Sequence, residues 1–177
     1  MPESWRNPRP APQLPEIQAR LQQTKPYGWL QAWWPAIVWA CIIFVMSTDS
    51  FSSERTAYFF EPVLRWLIPS LTAHQFEVIH YCIRKSAHFT EYFLFCMLIY
   101  RGARGGRAGW RWTWGLAAFS VAAGYSALDE IHQAFVASRT ASPYDSMLDS
   151  AGALLAITVL WLWFRFRRSA TSTPSLT

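Results

Sequence analysis

Lys85-Ser86-Ala87-His88-Phe89-Thr90-Glu91-Tyr92 leads straight into Phe93-Leu94-Phe95-Cys96-Met97-Leu98-Ile99-Tyr100, so ionisable groups enter a segment otherwise apolar enough for a bilayer. A second run, Asp129-Glu130-Ile131-His132-Gln133-Ala134-Phe135, follows an apolar block and continues through Arg139 to Asp145 and Asp149. A charge held in lipid is costly, so such side chains face a protein interior or an aqueous cavity and mark a site. The two runs predict an all-α membrane protein with a polar centre.

Working outward, 177 residues leave room for one domain. The mean hydropathy of +0.07 is modest only because polar tails dilute four apolar blocks. The net charge of +5 raises nucleic acid as a partner. The arginines, however, flank the apolar blocks rather than striping a soluble fold, which points to the lipid bilayer and away from nucleic acid. Cys41, Cys82 and Cys96 form no CxxC pair, which argues against a disulfide or zinc framework, and no metal site is expected.

The expected order is a flexible tail over 1–28, a membrane domain over 29–166 and a second tail over 167–177. Six of the eleven prolines lie in the first tail, with one short helix expected over Glu16 to Gln23, and the polar start does not read as a signal peptide. Four transmembrane helices follow: Trp29 to Thr48, Ser86 to Tyr100, Trp110 to Leu128 and Met147 to Phe166. Between the first two lies an interfacial amphipathic segment, with Tyr58, Phe59, Val63, Trp66 and Leu67 on its apolar face. Pro69 ends it, and Thr72 with Gln75 fits a capping box for a helix starting near Ala73.

Eleven of the sixteen Lys and Arg residues precede span one, link spans two and three, or follow span four. By the positive-inside rule that side is cytoplasmic, placing both termini inside the cytoplasmic membrane. The opening runs then meet on the outer side. Lys85, His88 and Tyr92 share one helix face, with Glu91 turned from His88 and about 9 Å deeper than Lys85. Asp145, Asp149 and Gly152 share another, and Gly152 admits a close helix neighbour.

Glu91, Asp129, Glu130, Asp145 and Asp149 oppose Lys85 and Arg139, with Arg84 nearby. Buried, these groups must pair, shift in pKa or bind an ion. Three readings follow. The charges pin helices together; or Lys85 and Arg139 grip an anionic head group, with Tyr92, Gln133, Asp145 and Asp149 completing the binding site; or His88, His132 and carboxylates bind a metal or work as acid and base, with His88, Glu91, Asp129 and Glu130 as the catalytic candidates. His74 and His80 read as surface or interfacial histidines. Gly102, Gly105 and Gly106 read as flexibility in a basic turn, and no phosphate-cradling glycine loop is present. No cofactor is indicated.

The Lys85, His88, Phe89, Tyr92 pattern, with Asp129 to Phe135, Arg139, Asp145, Asp149 and Gly152, resembles the VanZ-like membrane proteins over about residues 33 to 165. Asp149 stands where that family often has asparagine. The founding member is associated with resistance to the glycopeptide teicoplanin, which acts outside the cytoplasmic membrane. The resemblance therefore implies a cell-envelope role, recognising or modifying a lipid-linked or cell-wall head group at the outer leaflet. The alternative is a non-enzymatic scaffold or partner-binding protein with structural charges.

Overall fold

Trp29–Met46 carries no charged side chain and forms helix α1, with Pro35 inside it. Ala32, Ala36 and Ile43 are its only buried residues, while Trp29, Trp34, Ile37, Val38, Phe44 and Val45 stand exposed. A helix apolar nearly all round whose large side chains face outward is built for lipid rather than water. The computed structural model describes residues 13, 28–136 and 141–170, and among them all regular structure is helical. Arg139, the expected helix over Glu16 to Gln23, and the tail beyond Ala170 lie outside the described residues.

After a short 3-10 turn (Asp49–Phe51), Ser52 caps α2 (Ser53–Leu67) by accepting from the Arg55 N–H. Ile68 is extended, as the residue before a proline tends to be, and the helix stops there. The expected capping box is complete: the Thr72 hydroxyl accepts from the Gln75 N–H, and the Gln75 side chain accepts from the Thr72 N–H. It starts α3 (Ala73–Arg104), which runs for 32 residues to a left-handed cap at Gly105. Helices α4 (Trp112–Ala134) and α5 (Pro143–Ala170) complete the fold.

Two of these helices, Trp29–Met46 and Pro143–Arg167, combine the length and apolar character needed to cross a membrane. At 32 and 23 residues, α3 and α4 have the length as well. Their composition is more mixed: α3 carries Arg84, Lys85 and Glu91, and α4 carries Asp129 and Glu130.

Helix α3 is the hub, in contact with α1, α2, α4 and α5, while α4 also packs on α5. Contacts fix the directions. Arg101 donates to the Ala32 carbonyl at one end of α1, and the Trp39 indole donates to the Glu91 carbonyl further along, so α1 runs antiparallel to α3. Lys85 pairs with Asp145 while Tyr100 lies against Phe164, so α5 runs parallel to α3. Ser126 meets Asp149 and Trp112 meets Trp161, so α4 is antiparallel to α5.

Small residues permit this packing. Ala118, Ala122, Ala153 and Ala156 are fully or nearly fully buried at the helix contacts, whereas Leu116, Val121, Leu154 and Val159 face outward. Small-inside, large-outside is the arrangement of helices whose solvent is lipid. Gly152 is the tightest point: a Cβ there would collide with the Phe89 carbonyl oxygen and sit 3.2 Å from its carbonyl carbon. The expected close approach at Gly152 is thus an α3–α5 contact. Gly102 corrects the sequence reading. It is buried inside α3, where a Cβ would come within 2.8 Å of the Trp33 ring, so it serves packing rather than flexibility.

The two ends differ in chemistry. At one, arginines lie over aromatic rings: Arg104 on Phe164, Arg111 on Trp114, Arg165 on Trp161 and Arg167 on Trp163, the last at 4.4 Å. Such cation–π pairs suit an interfacial belt with lipid on one side and water on the other. The opposite end gathers the acidic residues.

Helix α2 lies against α3 there, with Tyr58, Phe59, Val63, Trp66 and Leu67 all exposed as one apolar face. His80 joins the two helices, contrary to the surface role expected of it. It is 5% exposed, stacks on Phe76 at 5.6 Å and meets the Thr56 hydroxyl at 3.2 Å. Burial and then Arg84 hold its pKa below the usual histidine value of 6.5. A depressed base binds protons more readily unfolded, so its contribution is intact above pH 6.5 and is lost as pH falls from there through the folded value. A nitroxide on Ser53 should therefore become more mobile on acidification from pH 7.5 to 5, and His80→Phe should remove most of that change.

Candidate functional site

At the acidic end, the start of α5, the end of α4, the end of α1 and the middle of α3 converge. Helical spacing explains which groups meet. Lys85 and His88 fall on one face of α3, Asp145 and Asp149 on one face of α5, and the parallel packing sets these faces together. Lys85 Nζ pairs with Asp145, with 24% and 15% of the side chains exposed. One turn deeper, His88 Nδ1 stands 3.9 Å from Asp149 Oδ1, too far for a hydrogen bond. Asp149 is 1% exposed, and its other oxygen accepts from the Ser126 hydroxyl at 2.9 Å. Ser126 Oγ also lies 3.1 Å from Ser146 Oγ, which ties α4 to α5.

The α4 terminus supplies the second set. Gln133 donates to Asp129 at 2.9 Å across one helical turn, and both are buried. Glu130 accepts from the Ser142 N–H at 2.8 Å, so its carboxylate holds the chain entering α5. Burial pushes the Glu130 carboxyl above its ordinary range; the Ser142 N–H opposes this, Asp145 and Asp129 add to it, and Lys85 moderates it. His132 lies apart from His88's partners. Its Nδ1 is 3.2 Å from the Ser47 hydroxyl and its ring stacks on Phe44 at 5.0 Å, pinning α4 to the end of α1. Ser47 is the C-cap residue of α1 and borders a small cavity beside His88 and Asp129. Among the described residues, no three His, Cys, Asp or Glu side chains form a group that could hold a metal.

Two cavities open on these residues. The larger, about 650 Å³, lies between α2 and α3; its charged lining is mixed, with Arg65, Arg84 and Lys85 beside Glu54, Glu61, Glu77 and Asp145, and His80, His88 and Gln133 complete its polar wall. The smaller, about 100 Å³, is bordered by Ser47, Arg84, His88, Glu91 and Asp129. Of the residues singled out from the sequence, Lys85, His88, Glu91, Asp129, Gln133 and Asp145 therefore line cavity walls. Asp149 and Tyr92 lie beneath them, and the Tyr92 hydroxyl has no hydrogen-bond partner among the described residues. Glu130 is committed to Ser142 through one oxygen.

Arg84 is the residue the sequence reading passed over as a neighbour. It lines both cavities, and its Nη1 is buried with no hydrogen-bond partner among the described residues. Burial weighs against its charge while Asp145 favours it, and a guanidinium stays protonated in either case. The signal for it was present: His80, Arg84 and His88 recur every four residues and form one polar stripe along α3.

Against known proteins, the family model described as VanZ/LLP1 matches residues 32–165. No curated protein and no solved structure matches the chain.

Proposed function

The chain belongs to the VanZ/LLP1 family, and from that premise we propose a cell-envelope protein whose cleft recognises or modifies an anionic head group at the outer leaflet. In this reading the protein crosses the cytoplasmic membrane four times, through α1, the apolar part of α3, α4 and α5. Helix α2 lies on the outer surface and both termini lie inside. The Arg/Trp end faces the cytoplasm, as the positive-inside rule requires.

The observation that carries the proposal is Arg84, which lines both cavities and whose Nη1 is buried without an acceptor among the described residues. A guanidinium nitrogen buried without a partner needs an acceptor, and a phosphate or carboxylate head group supplies one in the planar geometry arginine favours. Lys85, oriented by Asp145, stands one residue on, and Arg139 is assigned to the same head group. Gln133 adds a neutral polar contact, while Tyr92 and Asp149, buried beneath the cavities, support the site and His88 from below. Where the head group is also modified, His88 is the acid or base, with Glu91, Asp129 and Glu130 orienting the cations or moving protons. An effect on susceptibility to glycopeptides such as teicoplanin follows if the head group belongs to lipid-linked wall material.

The Lys85–Asp145 pair favours a second reading for those two residues, a clamp between α3 and α5 in a non-enzymatic scaffold. Lipid selectivity separates the two. Purified protein offered equal phosphatidylglycerol and phosphatidylcholine with matched acyl chains should retain the anionic lipid selectively by native mass spectrometry. Arg84→Gln should lower that preference by about ten-fold or more, since a hydrogen bond to a charged group is worth about 1.5–3 kcal/mol. Equal retention of both lipids by the parent protein would leave the scaffold.

A further inference from the structure

A third cavity, about 690 Å³, runs between α1 and α3 on the side of α3 away from α2. Its walls are mostly apolar: Trp39 and Ile42 from α1 face Ile79, Cys82, Ile83 and Leu94 from α3, with Ser86, Thr90 and Glu91 as the polar exceptions. Ile42, Val78 and Leu94 are exposed, so the groove opens toward the surroundings of the helices rather than into the core. Trp39 is held in place by its hydrogen bond to the Glu91 carbonyl, 3.0 Å away. From Val78 to Leu94 the groove follows α3 for about 24 Å at the helical rise.

This groove adjoins the polar site. Met46, Ile83, Ala87 and Glu91 border both it and the 100 Å³ cavity, while Arg84 and His88 border both that cavity and the 650 Å³ cleft. These shared residues set the three spaces side by side around α3: polar cleft, narrow neck, apolar groove. Adjacent positions on the helix produce the change in character. Arg84 and His88 face the cleft, and Ile83 and Ala87, each about 100° round the axis, face the groove.

We infer that the ligand is an anionic amphiphile bound across these spaces, its head group at Arg84 in the cleft and one acyl chain along the α1–α3 groove. The inference rests on the head-group reading above and adds the tail. Arg84 and Lys85 offer cations to the head group among the cleft acids Glu54, Glu61, Glu77 and Asp145, the groove offers apolar surface to the tail, and past Arg84 it continues about 15 Å at the helical rise to Leu94, toward the Arg/Trp end. A chain bound at the outer leaflet has to descend in that direction. A soluble anion would use the cleft alone and leave the groove without a role. The tail also accounts for the neck: a cavity of about 100 Å³ is too small for a head group yet wide enough for the linkage between head and chain.

The test uses the full-length protein in nanodiscs and two photoreactive lipids, each with a mid-chain diazirine. One carries a phosphatidylglycerol head and the other a phosphatidylcholine head. After irradiation, labelled peptides are mapped by mass spectrometry. The anionic probe should label Trp39, Ile42, Thr90 and Leu94 at least five-fold more than the zwitterionic probe. Both should label the outward-facing Leu116 and Val121 of α4 alike. In Arg84→Gln the groove preference should vanish while labelling of α4 is unchanged. Ala87→Trp, which narrows the neck, should reduce groove labelling and leave the α4 signal as an internal measure of folding.

Equal groove labelling by the two probes, alongside retained anionic-lipid selectivity in native mass spectrometry, overturns the acyl-chain assignment and leaves the head-group site standing. Loss of selectivity in both measurements overturns the head-group reading as well.

Discussion

Gly152→Val should leave little folded protein, and Gly152→Ala should cost about 1–3 kcal/mol, the range for overpacking a close contact. The collision is with the Phe89 carbonyl, which is backbone in the middle of α3 and cannot rotate away. Relief requires α3 and α5 to separate, and that movement would also pull Asp145 from Lys85 and Asp149 from His88. Gly124 is the control. It lies in α4 with nothing within 4 Å of its absent Cβ. Gly124→Ala should be neutral or stabilising by up to about 1 kcal/mol, the helix-propensity difference alone. Thermal unfolding in detergent, read by loss of soluble monomer, compares the two.

A comparable loss is expected at the ion pair. Lys85→Ala leaves Asp145 near Glu130 with Arg84 as its remaining cation. Removing one partner of a buried pair costs about 3–5 kcal/mol, and the residual exposure of both side chains places this one toward the lower end. Replacing both, as Lys85→Met with Asp145→Leu, should restore most of the loss, because apolar groups of similar size satisfy a buried site without desolvating charge. A double-mutant cycle on thermal stability gives the coupling. If the double variant is as unstable as Lys85→Ala alone, Lys85 is held by groups other than Asp145. The same variants bear on function: a stable double variant that loses anionic-lipid selectivity assigns the pair to recognition, and one that keeps it assigns the pair to the clamp.

The convergence of Lys85, His88, Asp129, Asp145 and Asp149 was legible because each lies near a helix end or on a single helix face, and chain reversal brings those ends together. Gly152 was legible for a similar reason, sharing the Asp145–Asp149 face. Other features depend on partners remote in sequence. His80 looks like a surface residue on an amphipathic stretch until α2 folds back and covers it with Thr56. Gly102 sits beside the turn glycines Gly105 and Gly106, and only the arrival of Trp33 from α1 distinguishes packing from flexibility. Arg84 was overshadowed by its neighbour Lys85, although its spacing to His80 and His88 marks it. Its significance lies in the two cavities on either side of it, and cavities are products of packing that no local pattern encodes.

The central claim, a polar cleft open on the outer face of the membrane, is tested most directly by the sidedness of its rim. Glu77 borders the cleft and is exposed, and Ala108 lies in the exposed turn at the Arg/Trp end. In a background with Cys41, Cys82 and Cys96 replaced by alanine, each position receives a single cysteine, Glu77→Cys or Ala108→Cys. Right-side-out membrane vesicles are then treated with a membrane-impermeant maleimide. Glu77→Cys should label at once, and Ala108→Cys only after the vesicles are permeabilised. Labelling of Ala108→Cys in sealed vesicles, with Glu77→Cys protected, would place the cleft on the cytoplasmic side and contradict the account.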